Sequence, residues 1–151
     1  MWQQEQTKNE KMENSKEKLT VEITVNKSIE QVWNSWTLPE NIVNWNFASD
    51  DWRSPNAEND LKVGGTFRSK MEAKDGSMGF DFEGKYTKIE NHKTIEYAMA
   101  DGREVSISFE DLGESTKVTE TFDPESIHPL EFQKAGWQAI LDNFKKYTET
   151  L

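Results

Sequence analysis

The stretch AGWQAILDNFKKYTETL, residues 135–151, closes the chain and decides how the rest is read. Trp137, Ile140, Leu141 and Phe144 recur at helical spacing. Glu131, Lys134, Gln138, Asp142, Lys145 and Glu149 fill the opposite stripe. Such an amphipathic helix has an apolar face wide enough to need a large partner. Gly136, beside Trp137, predicts a close approach of the helix backbone to that partner, and a bulky side chain there is expected to overpack the contact.

The partner lies upstream. LTVEITV (19–25) alternates strictly, with Leu19, Val21, Ile23 and Val25 on one side, and reads as a half-buried strand. Ser28 opens SIEQ, a capping box for a helix carrying Ile29, Val32, Trp33 and Trp36. Thr37 opens a second box, TLPE, for a short helix holding Ile42, Val43 and Trp45, and the following NFASDDWRSPNAEND reads as loop. Residues 61–122 then change to strand after strand. Gly64-Gly65 permits a bend, KDGS and DGR make turns, and the inward parity collects Phe67 and Met71, then Met78, Phe80 and Phe82, then Tyr97, Phe109 and Phe122. Together these predict an α+β fold. A curved antiparallel sheet of about six strands wraps around the long C-terminal helix, with two short helices after the first strand.

Charge and composition narrow the function. The net charge of −10 falls on residues 19–151, because residues 1–18 hold four Lys and four Glu. A fold this acidic repels phosphate backbones and anionic bilayers, so no nucleic acid is expected as a partner, and no run is long and apolar enough for a membrane span. Residues 1–18 offer little to bury and are expected to form a disordered polar tail, with residues 19–151 as one domain. The chain has no cysteine, which removes disulfides and thiolate chemistry and fits a cytoplasmic location. His92 sits in a turn and His128 precedes Pro129, far apart and without partners, so neither a metal site nor a nucleophilic triad is expected, and no cofactor.

The quoted elements in combination resemble one family. IEQVWNSWTLPENIVNW, DLKVGGTFRSKM, FEGKYTKIENHKTIEY, SISFEDLGESTKVTETF and GWQAILDNFKKY resemble proteins homologous to the activator of heat-shock protein 90 ATPase, within the START-like (SRPBCC) superfamily. The resemblance spans roughly residues 19–148 and implies the helix-grip fold, with a cavity between the long helix and the sheet. In related families that cavity holds lipids, polyketides or plant hormones.

A long helix over a curved sheet cannot touch it everywhere, so part of the inward face is expected to line a pocket of about 300–1,000 Å³. The candidate ligand-binding residues are Phe67, Met71, Phe80, Phe82, Tyr97, Phe109, Glu120, Phe122, Trp137 and Leu141. An ordinary packed core is the competing reading for most of the aromatics. Glu120 stands out, because by parity it shares the inward face with Val118 and Phe122, and a buried carboxylate needs a partner or a raised pKa. Arg68, Asp81 and Arg103 read as solvated surface. The expected function is non-enzymatic binding of a hydrophobic or aromatic small molecule, lipid or flavonoid-like, by a monomer. The family resemblance also implies a chaperone-accessory role, and the superfamily a cyclase or aromatase activity.

Overall fold

A computed structural model describes residues 17–151. The expected polar tail therefore lies outside the described residues except for Glu17 and Lys18, and Lys18 Nζ is bonded to Asp123 Oδ1 at 2.8 Å.

Strand β1 (Leu19–Val25) buries Val21 and Val25 and pairs antiparallel with β8 (Thr116–Phe122), Leu19 opposite Phe122 and Val25 opposite Thr116. Helix α1 (Ile29–Thr37) starts at Ser28, whose side chain accepts from the Gln31 amide, as the capping box predicts. The second box does not form. Thr37 sends its hydroxyl back to the Trp33 carbonyl at 2.8 Å, and Leu38 becomes the N-cap of the four-residue α2 (Pro39–Ile42), which ends before Trp45. A hydroxyl in the last turn of one helix bonds its own i−4 carbonyl more readily than it caps the next.

The segment expected as loop contains two short strands, β2 (Trp52–Arg53) and β3 (Ala57–Asn59), both paired with β4 (Thr66–Ala73). They are too short to show an alternation. With them the sheet has eight strands, in the order β1-β8-β7-β6-β5-β4-β2 and with β3 also on β4. The meander continues through β5 (Gly79–Glu90), β6 (Thr94–Ala98) and β7 (Glu104–Asp111). A bulge between Tyr86 and Lys88 shifts the register of β5 against β6. Inward parity therefore passes from Phe82, Gly84 and Tyr86 to Ile89. Met78 lies in the turn before β5 and is exposed, not inward as its parity predicted.

Gly84 is needed where it stands. A Cβ there would meet Phe67 at 2.8 Å and Tyr97 at 2.9 Å, so the two rings close over bare backbone. Phe67 and Tyr97 can then meet edge to face, with centroids 4.7 Å apart.

Helix α3 (Leu130–Thr148) runs along β1 and covers the inward face of the sheet. Its polar stripe also protects the open edge of β1. Gln138 Nε2 donates to the Glu22 carbonyl at 3.2 Å, Lys145 Nζ to the Thr24 carbonyl at 2.6 Å, and Glu149 accepts from the Asn26 amide at 2.7 Å. Edge backbone satisfied in this way offers no template to another strand. Leu141 and Phe144 are fully buried, and Thr148 bonds Ser35 of α1 at 2.6 Å in the core. The expectation for Gly136 does not hold. A Cβ built there meets nothing within 4 Å, so a side chain at this position has open space.

Candidate functional site

A cavity of about 510 Å³ lies between the N-terminal half of α3 and the sheet. Trp137 and Ile140 of α3 form one wall, and Phe67, Phe82, Tyr86 and Tyr97 of the sheet form the opposite one. Trp36, Ile42 and Trp45, from α1, α2 and the turn after α2, close the far end. At the near end the β4–β5 hairpin brings Phe80, and the β6–β7 turn brings Asp101 and Arg103. Aromatic edges and faces dominate the lining. Phe82 lies edge-on to Tyr97 (6.2 Å) and to Trp137 (6.3 Å).

Seven of the ten sequence-predicted residues meet on this surface: Phe67, Met71, Phe80, Phe82, Tyr97, Glu120 and Trp137. Phe80 is half exposed, with its ring 6.0 Å from Trp52. The other three lie beneath or beside the lining. Phe122 is covered by the Trp137 ring, stacked on it at 3.9 Å. Phe109 packs against Trp33 and Trp36, and Leu141 belongs to the closed core. Parity put them on the correct face, but only the path of α3 decides which part of that face remains uncovered.

Sequence reasoning did not single out Trp36, Trp45, Ser69, Tyr86 or Arg103 as lining. Ser69 carried a usable signal, a small polar residue at inward parity between Phe67 and Met71. Arg103 was read as solvated surface. It shares inward parity with Val105, and it turns to the mouth of the cavity, where its Nε donates to Asp101 at 2.7 Å.

Glu120 is 7% exposed, and no protein group among the described residues bonds its carboxyl or pairs with it. Burial alone pushes its pKa up to about 8, so it is a neutral acid through most of the physiological range. Tyr97 is 5% exposed, and its hydroxyl is likewise unbonded among the described residues. Burial holds that phenol well above its ordinary pKa, and the nearby Glu120 adds to the effect. Tyr86 differs. Its hydroxyl is bonded at 2.5 Å to Asn59, which in turn donates to the Thr37 carbonyl at 2.6 Å, so it ties β5 to β3 and α1. Burial raises its pKa too, partly offset by that bond.

Neither histidine reaches the cavity. His92 takes a left-handed backbone in its turn (φ 64°) with its ring 5.7 Å from Trp33, and His128 pairs with Glu125 at 2.7 Å. No cluster of three metal-ligating side chains occurs among the described residues. No helix among them is long and apolar enough to cross a membrane.

The family described as Activator of Hsp90 ATPase homolog 1-like protein matches residues 26–149. An AHSA1-like protein from Aeromonas hydrophila is 46% identical, with a TM-score of 0.83, over 89% of this chain and 93% of that one. A protein from Cytophaga hutchinsonii is 52% identical, with a TM-score of 0.76, over 88% of this chain and 92% of that one. A Nitrosomonas europaea protein at 16% identity and a TM-score of 0.76, over 88% of this chain and 94% of that one, shows the same fold. No curated protein matches. The chain belongs to the Activator of Hsp90 ATPase homolog 1-like family, and its fold is the START-like helix grip.

Proposed function

We propose that this member of the family binds a hydrophobic or aromatic small molecule in the cavity between α3 and the sheet, and performs no chemistry on it. One observation carries the reading. A cavity of about 510 Å³, walled by Phe67, Phe82, Tyr97 and Trp137, lies beside the buried hydrophobic core. Its size is in the range of small-ligand sites, and its lining is apolar with a few polar groups, as such sites are. Aromatic walls contribute area and quadrupole contacts to a flat apolar body. Of its buried polar groups, Glu120 and Tyr97 suit orienting a ligand.

Calorimetric titration with ethylnaphthalene tests this. Saturable one-to-one binding is expected, weakened in a Phe82→Trp variant whose larger ring occupies the space. Absence of binding by naphthalene-sized and alkyl probes alike, in a protein with native spectra, overturns the reading.

A second reading, an interaction module acting on a chaperone, draws on the family description and on one surface feature. Ile127 (82% exposed), Leu130 (46%) and Phe132 (65%) stand together at the start of α3. Stimulation of a heat-shock protein 90 ATPase that is lost on Phe132→Ser and kept on Phe82→Trp would establish this reading in place of the first.

A further inference from the structure

We propose that the cavity takes an apolar amine, its body against the aromatic walls and its ammonium group paired with the carboxylate of Glu120. The proposal rests on the cavity-binding reading above and adds the chemistry of the ligand's polar end.

Strand register isolates Glu120 from any protein partner. On β8 it stands opposite Val21 of β1 on one side and Ile107 of β7 on the other. Its inward neighbours along the strand are Val118 and Phe122. All four are buried, and none has a side chain that can bond a carboxyl. The remaining direction is the cavity, which Glu120 lines. Ser54 Oγ is the sole fully enclosed side-chain polar atom without a partner among the described residues. The carboxyl oxygens of Glu120 are therefore not sealed beneath the lining but meet the open space above it. An occupant that leaves this group unbonded adds to the cost of burying it, and one that bonds it recovers that cost.

The lining selects a cation for that role. Besides Glu120 its charged groups are Glu58 on β3, Asp81 and Glu83 on β5, and Asp101 and Arg103 before β7. Four carboxylates thus stand against one guanidinium, and Arg103 already gives its Nε to Asp101 at 2.7 Å. The other titratable groups of the lining are the phenols of Tyr86 on β5 and Tyr97 on β6, whereas Trp137 and Ile140 of α3 carry no charge. Burial is the sole influence on the Glu120 carboxyl, so no protein cation stands near enough to favour its charged form. A mouth of net negative charge draws cations in and turns anions away. Aromatic walls favour the same choice, because ring faces attract an ammonium through their quadrupoles. One such ring, Trp137, stacks on Phe122, a single inward step along β8 from Glu120. An ammonium that enters while Glu120 is neutral sends the carboxyl proton to solvent, and the resulting carboxylate accepts from the N–H groups. No other bond changes.

A probe series of one shape tests this: ethylnaphthalene, naphthylmethanol, naphthylmethylamine and naphthoate, titrated calorimetrically. The amine is expected to bind about tenfold tighter than the alcohol near pH 8, the size a charged hydrogen bond supplies. That ratio should grow as pH rises from about 6 towards 8, because the pair forms more readily as Glu120 gives up its proton. At about pH 6.5, buffers of different ionisation enthalpy should reveal close to one proton released per amine bound and none per ethylnaphthalene. Glu120→Gln keeps the shape without the charge, so it should bring the ratio of amine to alcohol down to about one. A ratio that survives in a natively folded Glu120→Gln protein overturns the pairing, and so does amine binding to the wild type without proton release, whether or not the variant folds. Binding of ethylnaphthalene with the amine no tighter than the alcohol overturns the amine site while the cavity reading stands. Tightest binding of naphthoate overturns it in favour of Arg103. Failure of the whole series, hydrocarbon included, removes the cavity reading and this proposal together.

Discussion

The two halves of α3 cover one sheet face with different results. Around its C-terminal half, Leu141, Phe144 and Thr148 are closed in by Val25, Val32, Trp45 and Phe109, and Phe144 makes edge contacts with Trp36 (4.9 Å) and Trp45 (4.8 Å). Around its N-terminal half, Trp137 and Ile140 face Phe67, Phe82 and Tyr97 across the cavity. The difference comes from α1. It wedges against the C-terminal half of α3, bonded through Ser35 and Thr148, and nothing equivalent fills the other end. One half is therefore filled and the other borders the cavity.

Substitutions should separate the two halves by size of effect. Phe144→Ala, in the filled half, is expected to cost about 3–5 kcal/mol in denaturant unfolding, the usual range for a buried phenylalanine. A loss below about 1 kcal/mol would mean that this half is not closely packed.

The second effect is a pH dependence in the half that holds the cavity. Glu120 has an ordinary carboxyl pKa of 4.5 when unfolded and about 8 when folded. Below the lower value it is protonated in both states and contributes nothing. Between the two, the unfolded chain loses the proton and the folded chain keeps it, so stability falls as pH rises, and above the upper value the fall stops. The titratable and charged groups that line the same cavity are Glu58 on β3, Asp81, Glu83 and Tyr86 on β5, Tyr97 on β6, and Asp101 and Arg103 before β7, whereas Val21 on β1 and Trp137 on α3 carry no charge. Glu120→Leu should remove this loss and gain on the wild type, by up to a few kcal/mol, as pH rises through that window. A parallel pH profile for the two proteins would show that Glu120 reaches solvent.

Phe82→Trp adds volume on the cavity side and should cost less than about 1 kcal/mol, where overpacking a closed core costs about 1–3. The smallest effect belongs to Gly136. With open space at its Cβ, Gly136→Ala should stabilise by about 0.5–1 kcal/mol through helix propensity. A loss instead would restore the close approach to the sheet.

These contrasts also mark how far the sequence could be read. Strict alternation made β1 and β8 legible with their ends, because a half-buried strand repeats every second residue. Strands β2 and β3 were not, since two and three residues fix no period and their pairing with β4 is long-range. For the site, parity identified the inward face and exposed Glu120 as an anomaly on it. It could not tell Phe67, on the cavity wall, from Phe109, packed on Trp33, because both face inward and differ only in what crosses above them. Arg103 was misplaced for a related reason, lying in a turn where the alternation of β7 had not begun.

The claim that one half of the interior is filled and the other receives a ligand is tested most directly by amide chemical shifts during titration with ethylnaphthalene. Saturable shifts are predicted around Phe67, Phe82, Tyr97, Glu120 and Trp137, with Val25, Val32 and Phe144 unmoved. Shifts confined to the exposed Ile127–Phe132 surface, or none at all, would contradict the account.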